Sequence, residues 1–229
     1  MYKQFSFAEI PNFFSDGERN QIARKVLELK PNWKKLHNYN VYKFQSELKS
    51  DYSKNQYLLG DSIYPLTPKD TSEINKEVQG ILLKEFKDLI YHKLFNTLAP
   101  WFELFNYKGV EFFPNLPIPG FHIFDGKQTP QPFDWHTDTT LCLWEDGIRP
   151  ERIFSFLSPI MMPESGANLE WLMPSGKESK IDYKYGTLHI WLGTEKHRIG
   201  RHGLLNFEKR ITLQGHIYLN PNGKIQLFF

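Results

Sequence analysis

The stretch KRITLQGHIYL, Lys209 to Leu219, decides the fold that the rest of the sequence supports. Apolar and polar residues alternate along it, and successive side chains of a strand point to opposite faces of a sheet. The polar face has Arg210, Thr212, Gln214 and His216, and the apolar face has Ile211, Leu213, Ile217 and Leu219. The pattern predicts a β-strand with one apolar face, whose polar face would meet water if the strand stood alone.

Two amphipathic helices precede this strand and offer apolar surface to cover a sheet. The segment SDGERNQIARKVLEL begins with Ser15 and has Glu18 three residues later, which is the spacing of a capping box. Apolar residues recur at helical spacing over residues 74–94. This pattern predicts a longer helix that a residue of 70–72 caps and Pro100 ends.

These helices bear on which face of the Lys209–Leu219 strand lies inside. If they cover the apolar face, the polar face points into the interior of the fold. An arginine is costly there unless it binds a charged partner. Arg210 is therefore a candidate anion-binding residue.

After Pro114 the sequence consists of short segments rich in β-branched and aromatic residues, separated by turn sequences such as PESGAN and NPNG. The predicted strands are GFHIF, TTLCLW, RIFSFLS, TLHIWL, RITLQGHIYL and KIQLFF. Helices followed by many short strands predict an α+β fold, with an antiparallel sandwich or jelly roll as the leading architecture. Residues 37–69 are polar and tyrosine-rich, and we expect irregular structure there, either a lid or a surface loop.

The composition limits the classes of protein to be considered. With 229 residues, 40% of them hydrophobic, the chain is sized for one globular domain. A net charge of +2 gives no electrostatic reason to expect a nucleic-acid or membrane-surface partner. Cys142 is the single cysteine, and neither a signal-peptide pattern nor a membrane-spanning stretch is found. We therefore expect a cytoplasmic protein without internal disulfides.

A second segment, PFDWHTDTTL, places His136 and Asp138 two residues apart. Two imidazoles and one carboxylate form the facial triad of non-heme Fe(II) oxygenases, which leaves three metal positions open. Histidine and aspartate also fall this close by chance, so the pair alone is a weak signal. A metal site requires a further histidine from a later strand.

Four downstream histidines are candidates for that third ligand. His189 lies within TLHIWL, where an ordinary packed role is expected, and His216 lies on the Arg210 strand, where it would line the cavity. His197 follows a predicted strand, whereas His202 lies in a loop-like segment. His197 is therefore the predicted ligand, and His202 is the alternative.

Together these segments resemble the iron(II)- and 2-oxoglutarate-dependent oxygenases, in particular small prolyl-4-hydroxylase-like members, over most of residues 8–219. IPNFFSDGERNQIARKV is similar to their opening strand, turn and helix. SGANLEW is similar to the Gly-rich turn between their middle strands, and YGTLHIW to the Gly-led strand just before their distal histidine. HTD matches their His-x-Asp motif, and RIT matches their Arg-x-Ser/Thr pair.

The resemblance implies a double-stranded β-helix, that is, a jelly roll, with N-terminal helices packed on the major sheet. It also implies one oxygenase domain over residues 1–229. Within it, residues 1–104 would be mainly helical support and lid, and residues 105–229 the jelly-roll core.

The resemblance further implies that His136, Asp138 and His197 bind Fe(II), with 2-oxoglutarate and O2 at the open positions. The expected reaction is hydroxylation of an unactivated C–H bond in an amino acid, a peptidyl side chain or a small metabolite. Desaturation is the other outcome, and no catalytic residue is expected beyond the ligands.

Arg210 and Thr212 would bind the distal carboxylate of 2-oxoglutarate, because a planar guanidinium matches a carboxylate in a two-pronged fork. Relatives often carry a tyrosine on the strand before the metal motif, whereas that strand reads FHIFDG here. His122 is therefore expected to take over part of the cosubstrate contact.

Two alternatives remain. A nucleic-acid demethylase of the same superfamily is disfavoured by the nearly neutral charge and the lack of a basic stripe. A non-catalytic jelly-roll module that binds a ligand or a structural zinc is disfavoured because structural zinc takes four protein ligands and the chain has one cysteine. The sequence does not indicate an oligomeric state.

Overall fold

A computed structural model describes residues 7–35, 55–63, 74–126, 135–143, 146–164, 168–173, 175–200 and 208–229. The helices are α1 (Asp16–Glu28), α2 (Lys76–Phe86) and α3 (His92–Glu103), with a π-helical turn (Lys87–Tyr91) between α2 and α3. The strands are β1 (Phe7–Ile10), β2 (Lys34–Lys35), β3 (Gln56–Leu59), β4 (Val110–Phe112), β5 (Gly120–Asp125), β6 (Ile153–Met161), β7 (Leu169–Leu172), β8 (Glu178–Ile181), β9 (Leu188–Leu192), β10 (His197–Ile199), β11 (Lys209–Leu219) and β12 (Ile225–Phe228). None of the helices in these ranges is long and apolar enough to cross a membrane.

The strands of the described ranges form two sheets. The larger sheet has nine strands in the order β1-β9-β6-β11-β5-β3-β2, with β12 beside β11 and β4 beside β12. Its pairs are antiparallel except β12 with β4. The smaller sheet is antiparallel and has the order β10-β7-β8. Strands β1 to β3, from the first 104 residues, thus join strands of the later part of the chain.

Strand β11 lies between β6 and β5 and has the two faces that its alternation predicts. Ile211 and Leu213 belong to the largest hydrophobic cluster, which also contains the buried residues of α1, α2 and α3. Arg210 and His216 are buried on the opposite face. The Arg210 guanidinium lies 5.7 Å from the ring of Tyr183, which follows β8, so the polar face points toward the smaller sheet.

The first helix begins as predicted. The Ser15 hydroxyl accepts a hydrogen bond from the Glu18 N–H at 3.3 Å, and the Glu18 carboxylate accepts one from the Ser15 N–H at 2.7 Å. The second helix is capped by Asn75, whose side chain accepts hydrogen bonds from the first turn. The cap predicted at 70–72 is therefore wrong for α2, and those three residues lie outside the described ranges.

The predicted long helix is interrupted by the π-helical turn, and residues at every fourth position from Val78 to Phe102 are buried. Positions four residues apart move gradually around the axis of an α-helix, because the helix has about 3.6 residues per turn. The π-helical turn has more residues per turn, so it keeps these positions closer to one face. The prediction that Pro100 ends the helix is wrong, because Pro100 lies inside α3. Pro100 and Asn96, four residues earlier, are both exposed, so water can replace the hydrogen bond that proline lacks.

Two further local predictions are wrong. TTLCLW forms a 3-10 turn over Thr140–Leu143 instead of a strand, because the chain turns after Asp138 to bury Leu141 in a cluster with Ile153. The irregular segment predicted over residues 37–69 contains β3, which pairs with β5. Of that segment only residues 55–63 are described.

Candidate functional site

His136 and His197 are brought together by hydrogen bonds between their own main chains. The N–H of each residue donates to the carbonyl of the other at 3.0 Å, so the two form an antiparallel bridge. Side chains directly opposite each other in such a pair lie on the same face. The two imidazole rings are accordingly 4.5 Å apart between centroids.

Asp138 is held beside these two rings by its own main chain. Its N–H donates to the Gly193 carbonyl at 2.7 Å, and the Gly193 N–H donates to the Ile153 carbonyl at 2.8 Å. A Cβ atom on residue 193 would lie 2.8 Å from the Asp138 carbonyl oxygen. The close approach of these two segments therefore requires glycine.

The three side chains form a compact cluster of two nitrogen donors and one oxygen donor. Asp138 Oδ2 lies 3.1 Å from His197 Nε2, and Asp138 Oδ1 lies 3.9 Å from His136 Nε2. All three donor atoms lie within 4.8 Å of one another, in the one such group among the residues that the structure describes. Asp138 and His197 are buried, and the His136 side chain is 29% exposed, so the cluster is accessible from the His136 side. Such a donor set suits a first-row divalent metal.

The orientation of His197 is fixed by its second ring nitrogen. Its Nδ1 lies 2.8 Å from the Glu195 carbonyl oxygen. A carbonyl only accepts hydrogen bonds, so Nδ1 carries a proton and donates it. Nε2 is then the atom turned toward Asp138, which is how metal-binding histidines are usually oriented.

The charges of Asp138 and His197 are coupled. Burial acts to raise the pKa of Asp138, but the attraction of His197, with help from His216 and His136, holds this pKa well below its usual range. Burial acts to lower the pKa of His197, and the attraction of Asp138 outweighs it and raises that pKa. The directions of these two shifts favour an ionised Asp138 beside a His197 whose Nε2 carries a proton. A divalent metal would displace this proton, as metals do when histidine binds them.

Arg210 lies in the interior with unused hydrogen-bonding capacity. It is 0% exposed, and its Nη1 donates to the Thr212 hydroxyl at 3.3 Å. Among the described residues, neither Nε nor Nη2 has a hydrogen-bond partner. Burial lowers the pKa of this guanidinium, although an arginine stays charged. Buried charges are normally paired, so the arrangement fits an anion held in the fork of Nε and Nη2.

Tyr183 adds a hydroxyl to the same place. Its ring lies 5.7 Å from the Arg210 guanidinium, and its buried hydroxyl has no hydrogen-bond partner within the described ranges. Burial raises the pKa of Tyr183, so the hydroxyl stays protonated and can donate to an anion. Phe124 of β5 is the direct partner of Arg210 in the sheet, and its ring lies 5.3 Å from the guanidinium.

Thr212 and His122 lie on neighbouring strands of the same interior surface. Thr212 is opposite His122 in the pairing of β11 with β5, and its hydroxyl contacts the His122 carbonyl oxygen at 3.5 Å. Gln214 donates to the Thr212 hydroxyl at 2.9 Å. Thr212 and Gln214 lie between Arg210 and His216 on one face of β11, so a continuous polar surface joins the arginine to the metal-binding cluster.

The structure thus brings His136, Asp138 and His197 into one cluster and places Arg210, Thr212 and His122 on the surface that leads away from it. The other histidines that the sequence offered lie elsewhere. His189 is buried in β9, and His216 lies beside Ser155, whose hydroxyl donates to Asp138. His202 lies outside the described residues.

Three residues of the site were not singled out from the sequence: Tyr183, Ser155 and Gly193. Tyr183 follows the end of β8, where strand alternation no longer says which way a side chain points. Ser155 falls among buried residues of β6 and has no motif of its own. Gly193 follows β9 directly, and a glycine at the end of a strand is a signal for close main-chain approach that could have marked it.

No protein-family model and no curated protein matches this chain. A 2OG-Fe(II) oxygenase family oxidoreductase from Burkholderia pseudomallei is similar in structure, with a TM-score of 0.53 and 11% identity over 91% of this chain and 82% of that one. A prolyl-4-hydroxylase from Pseudomonas putida aligns with a TM-score of 0.47 and 12% identity over 92% of this chain and 90% of that one.

The likeness to the Burkholderia protein establishes the fold. The chain has the jelly-roll fold of the 2-oxoglutarate- and iron(II)-dependent oxygenases, and its larger sheet is mainly antiparallel, as expected. The resemblance seen in the sequence is therefore confirmed at the level of the fold.

Proposed function

We propose that the protein is an iron(II)- and 2-oxoglutarate-dependent dioxygenase that hydroxylates an unactivated C–H bond. One observation carries the proposal: the His136–Asp138–His197 cluster lies on one interior surface with a fully buried arginine, whose Nε and Nη2 have no hydrogen-bond partner among the described residues. A metal alone would explain the cluster but not Arg210. A metal together with a small dicarboxylate explains both.

In this proposal His136, Asp138 and His197 hold the metal. Two neutral imidazoles and one carboxylate leave one positive charge on a divalent ion, which favours an anionic chelator. His197 reaches the metal through Nε2 because its Nδ1 is bound to the Glu195 carbonyl. Iron(II) held there, with 2-oxoglutarate and O2, supplies the oxidising chemistry, in which the cosubstrate becomes succinate and CO2 and one oxygen atom enters a C–H bond.

The other residues bind and orient the cosubstrate. Arg210 would hold its distal carboxylate through Nε and Nη2, and the Tyr183 and Thr212 hydroxyls would complete the site. We expect His122 to line the same pocket, because it lies opposite Thr212. Phe124, packed beside the guanidinium, would keep water away and so strengthen the charge pair.

We also propose that residues 1–229 form one domain, with residues 1–104 as mainly helical support and residues 105–229 as the jelly-roll core. In support, buried residues of α1, α2 and α3 share one hydrophobic cluster with residues of β6, β9 and β11. This is the packing expected if the N-terminal helices lie on the major sheet.

The substrate is proposed only as a class: an amino acid, a peptidyl side chain or a small metabolite. The His136 side of the cluster is the accessible side, so a substrate would approach from there. Incubation with iron(II), 2-oxoglutarate, O2 and mixtures of each class should give a product that has gained one oxygen atom, or lost two hydrogens, by mass spectrometry.

The test of the proposed function is anaerobic. Iron(II) added to the metal-free protein should bind in equimolar amount, and 2-oxoglutarate should then produce a visible absorption band of its iron chelate. Asp138→Ala should lose both signals, whereas Arg210→Met should keep the metal and require far more 2-oxoglutarate. Tight zinc binding without a 2-oxoglutarate-dependent band would contradict the proposal and favour a non-catalytic metal-binding module.

A further inference from the structure

Two buried polar side chains, Ser155 and His216, lie behind the metal-binding cluster in a row with Asp138. The Ser155 hydroxyl donates to Asp138 Oδ2 at 2.5 Å, and the same hydroxyl oxygen lies 3.1 Å from His216 Nδ1. Ser155 is 1% exposed and His216 is 6% exposed. The proposed reaction assigns neither residue a role.

The fold explains why these residues meet. Ser155 on β6 is the direct partner of His216 on β11, so both side chains project from one face of the larger sheet. The main chain of Asp138 is bound to Gly193, which is bound to Ile153, two residues before Ser155. Both the main chain and the carboxylate of Asp138 are therefore anchored near the start of β6.

The direction of both hydrogen bonds follows from counting protons. A serine hydroxyl has one proton, and a carboxylate only accepts. Because Ser155 gives its proton to Asp138, it can only accept from His216, whose Nδ1 must donate. The hydrogen bonds thus run from His216 to Ser155 to Asp138, and a chain of this kind strengthens each of its members.

We infer that Ser155 and His216 are positioning residues that fix the Asp138 carboxylate for the metal, an inference that rests on the proposed function. The carboxylate spans the two imidazoles, with Oδ2 toward His197 and Oδ1 toward His136. Ser155 holds the carboxylate in that orientation through its hydrogen bond. Without the serine, the carboxylate would lose rotational freedom each time a metal binds. His216 acts through Ser155: it does not belong to the group of donors within 4.8 Å, and its Nδ1 is engaged by the serine.

The experiment measures Co(II) affinity by titrating the metal-free protein and following the visible absorption of the bound ion. Ser155→Ala should weaken Co(II) binding about 10–100-fold, as loss of an outer partner of a metal ligand typically does. Ser155→Thr, which keeps the hydroxyl, should restore affinity to within a few-fold of the parent. Thermal unfolding of the metal-free variants shows whether each one folds.

His216 offers a matched pair that does not depend on substituting Ser155. His216→Asn retains an N–H donor near the position of Nδ1, whereas His216→Phe keeps an aromatic ring beside Phe228, whose ring now lies 5.0 Å away, and removes the donor. The asparagine variant should bind Co(II) more tightly than the phenylalanine variant. Ser155→Ala combined with His216→Phe should weaken Co(II) binding by less than the product of the two single losses, because the hydrogen bond of His216 reaches Asp138 through the serine.

The outcomes separate this inference from the function on which it rests. If the unsubstituted protein binds no Co(II), the metal site itself is refuted, and this inference with it. If the parent binds Co(II) and Ser155→Ala binds it equally well, only the positioning role is overturned. Multiplying losses in the double variant would also overturn it, because His216 would then act on the metal independently.

Discussion

Replacing Arg210 by methionine should stabilise the protein without 2-oxoglutarate and remove most of the stabilisation that 2-oxoglutarate gives. Arg210 is 0% exposed, and within the described ranges its Nε and Nη2 have no hydrogen-bond partner. Without the cosubstrate, a full charge is therefore buried beside the rings of Phe124 and Tyr183. Methionine has a long unbranched side chain that can fill much of the space without the charge.

The first effect can be given a size. Exchanging buried charged groups for apolar ones of similar volume is neutral or stabilises a protein by about 1–4 kcal/mol. An unpaired charge belongs at the upper part of that range. For a chain of this length each kcal/mol shifts the melting temperature by about 2–4 °C, so Arg210→Met should melt several degrees above the parent when no 2-oxoglutarate is present.

The second effect has the opposite sign. At a ligand concentration of about 100 times Kd the parent gains about 2.7 kcal/mol, or roughly 5–11 °C at about 2–4 °C per kcal/mol. Truncating one side of a buried charge pair costs about 2–5 kcal/mol, which weakens binding at least about 30-fold at 1.4 kcal/mol per tenfold. The variant should then gain less than about 1 kcal/mol at the same concentration.

The assay is thermal unfolding with Ni(II) in place of iron, so that no turnover occurs, with and without 2-oxoglutarate. Arg198→Met is the matched control, because Arg198 is paired with Glu170 at 2.6 Å and strand alternation in β10 places it on the face opposite to that of His197. It should melt slightly below the parent and keep the full 2-oxoglutarate shift. An Arg210→Met protein that melts below the parent and still gains the full shift would refute the assignment of Arg210 as the cosubstrate's partner.

Three further predictions address the metal, the main chain and the pH dependence. His197→Ala should abolish iron(II) binding measured by equilibrium dialysis, whereas His92→Ala, at a half-exposed position, should leave iron(II) binding unchanged. If the two variants bind iron(II) equally well, His197 is not a ligand. Gly193→Ala should lower the free energy of unfolding in urea by about 1–3 kcal/mol and weaken metal binding, because the new Cβ would meet two main-chain oxygens. Gly80 lies inside α2 with open space around it, so the control Gly80→Ala should instead raise the free energy of unfolding by about 0.5–1 kcal/mol. Burial lowers the pKa of His189 from 6.5 to about 4. Between pH 6.5 and pH 4 this histidine is therefore protonated in the unfolded chain and neutral in the folded one, so the free energy of unfolding decreases as the pH falls through that range. From about pH 7 to pH 5 this group should account for a loss of about 2 kcal/mol of unfolding free energy. His189→Phe should remove that part of the loss, and a variant that loses as much stability as the parent between these pH values would contradict the burial argument.

The features that could be predicted from the sequence are those set by local periodicity. Alternation along Lys209–Leu219 predicted which residues of β11 share a face, because side chains alternate along a pleated strand, whereas the burial of the polar face was inferred from the helices. The capping box at Ser15 was equally local. Each of these two patterns is defined by residues that are close together in the sequence, so neither requires knowledge of tertiary contacts.

The features that were missed depend on contacts between distant segments. Leu141 belongs to an apolar run that periodicity alone cannot assign to a strand or a turn. Only the main-chain hydrogen bond between Asp138 and Gly193 shows that the chain turns there. Tyr183 reaches Arg210 from outside the strands, and Ser155 of β6 meets Asp138, which lies in a bend distant in the sequence. Pro100 remains helical because its position is exposed, which the sequence does not state.

The N-terminal strand has a consequence for how the protein behaves when shortened. Strand β1 is the outermost strand beside β9, and Phe7 packs edge-on against Trp171 of the smaller sheet at 5.4 Å. A chain that began after Ile10 would uncover the backbone of β9, a strand of mostly buried apolar residues. Unprotected strands of this kind recruit copies of themselves, so such a chain should aggregate edge to edge through Leu188–Leu192 while the residues of its metal-binding cluster are all still present.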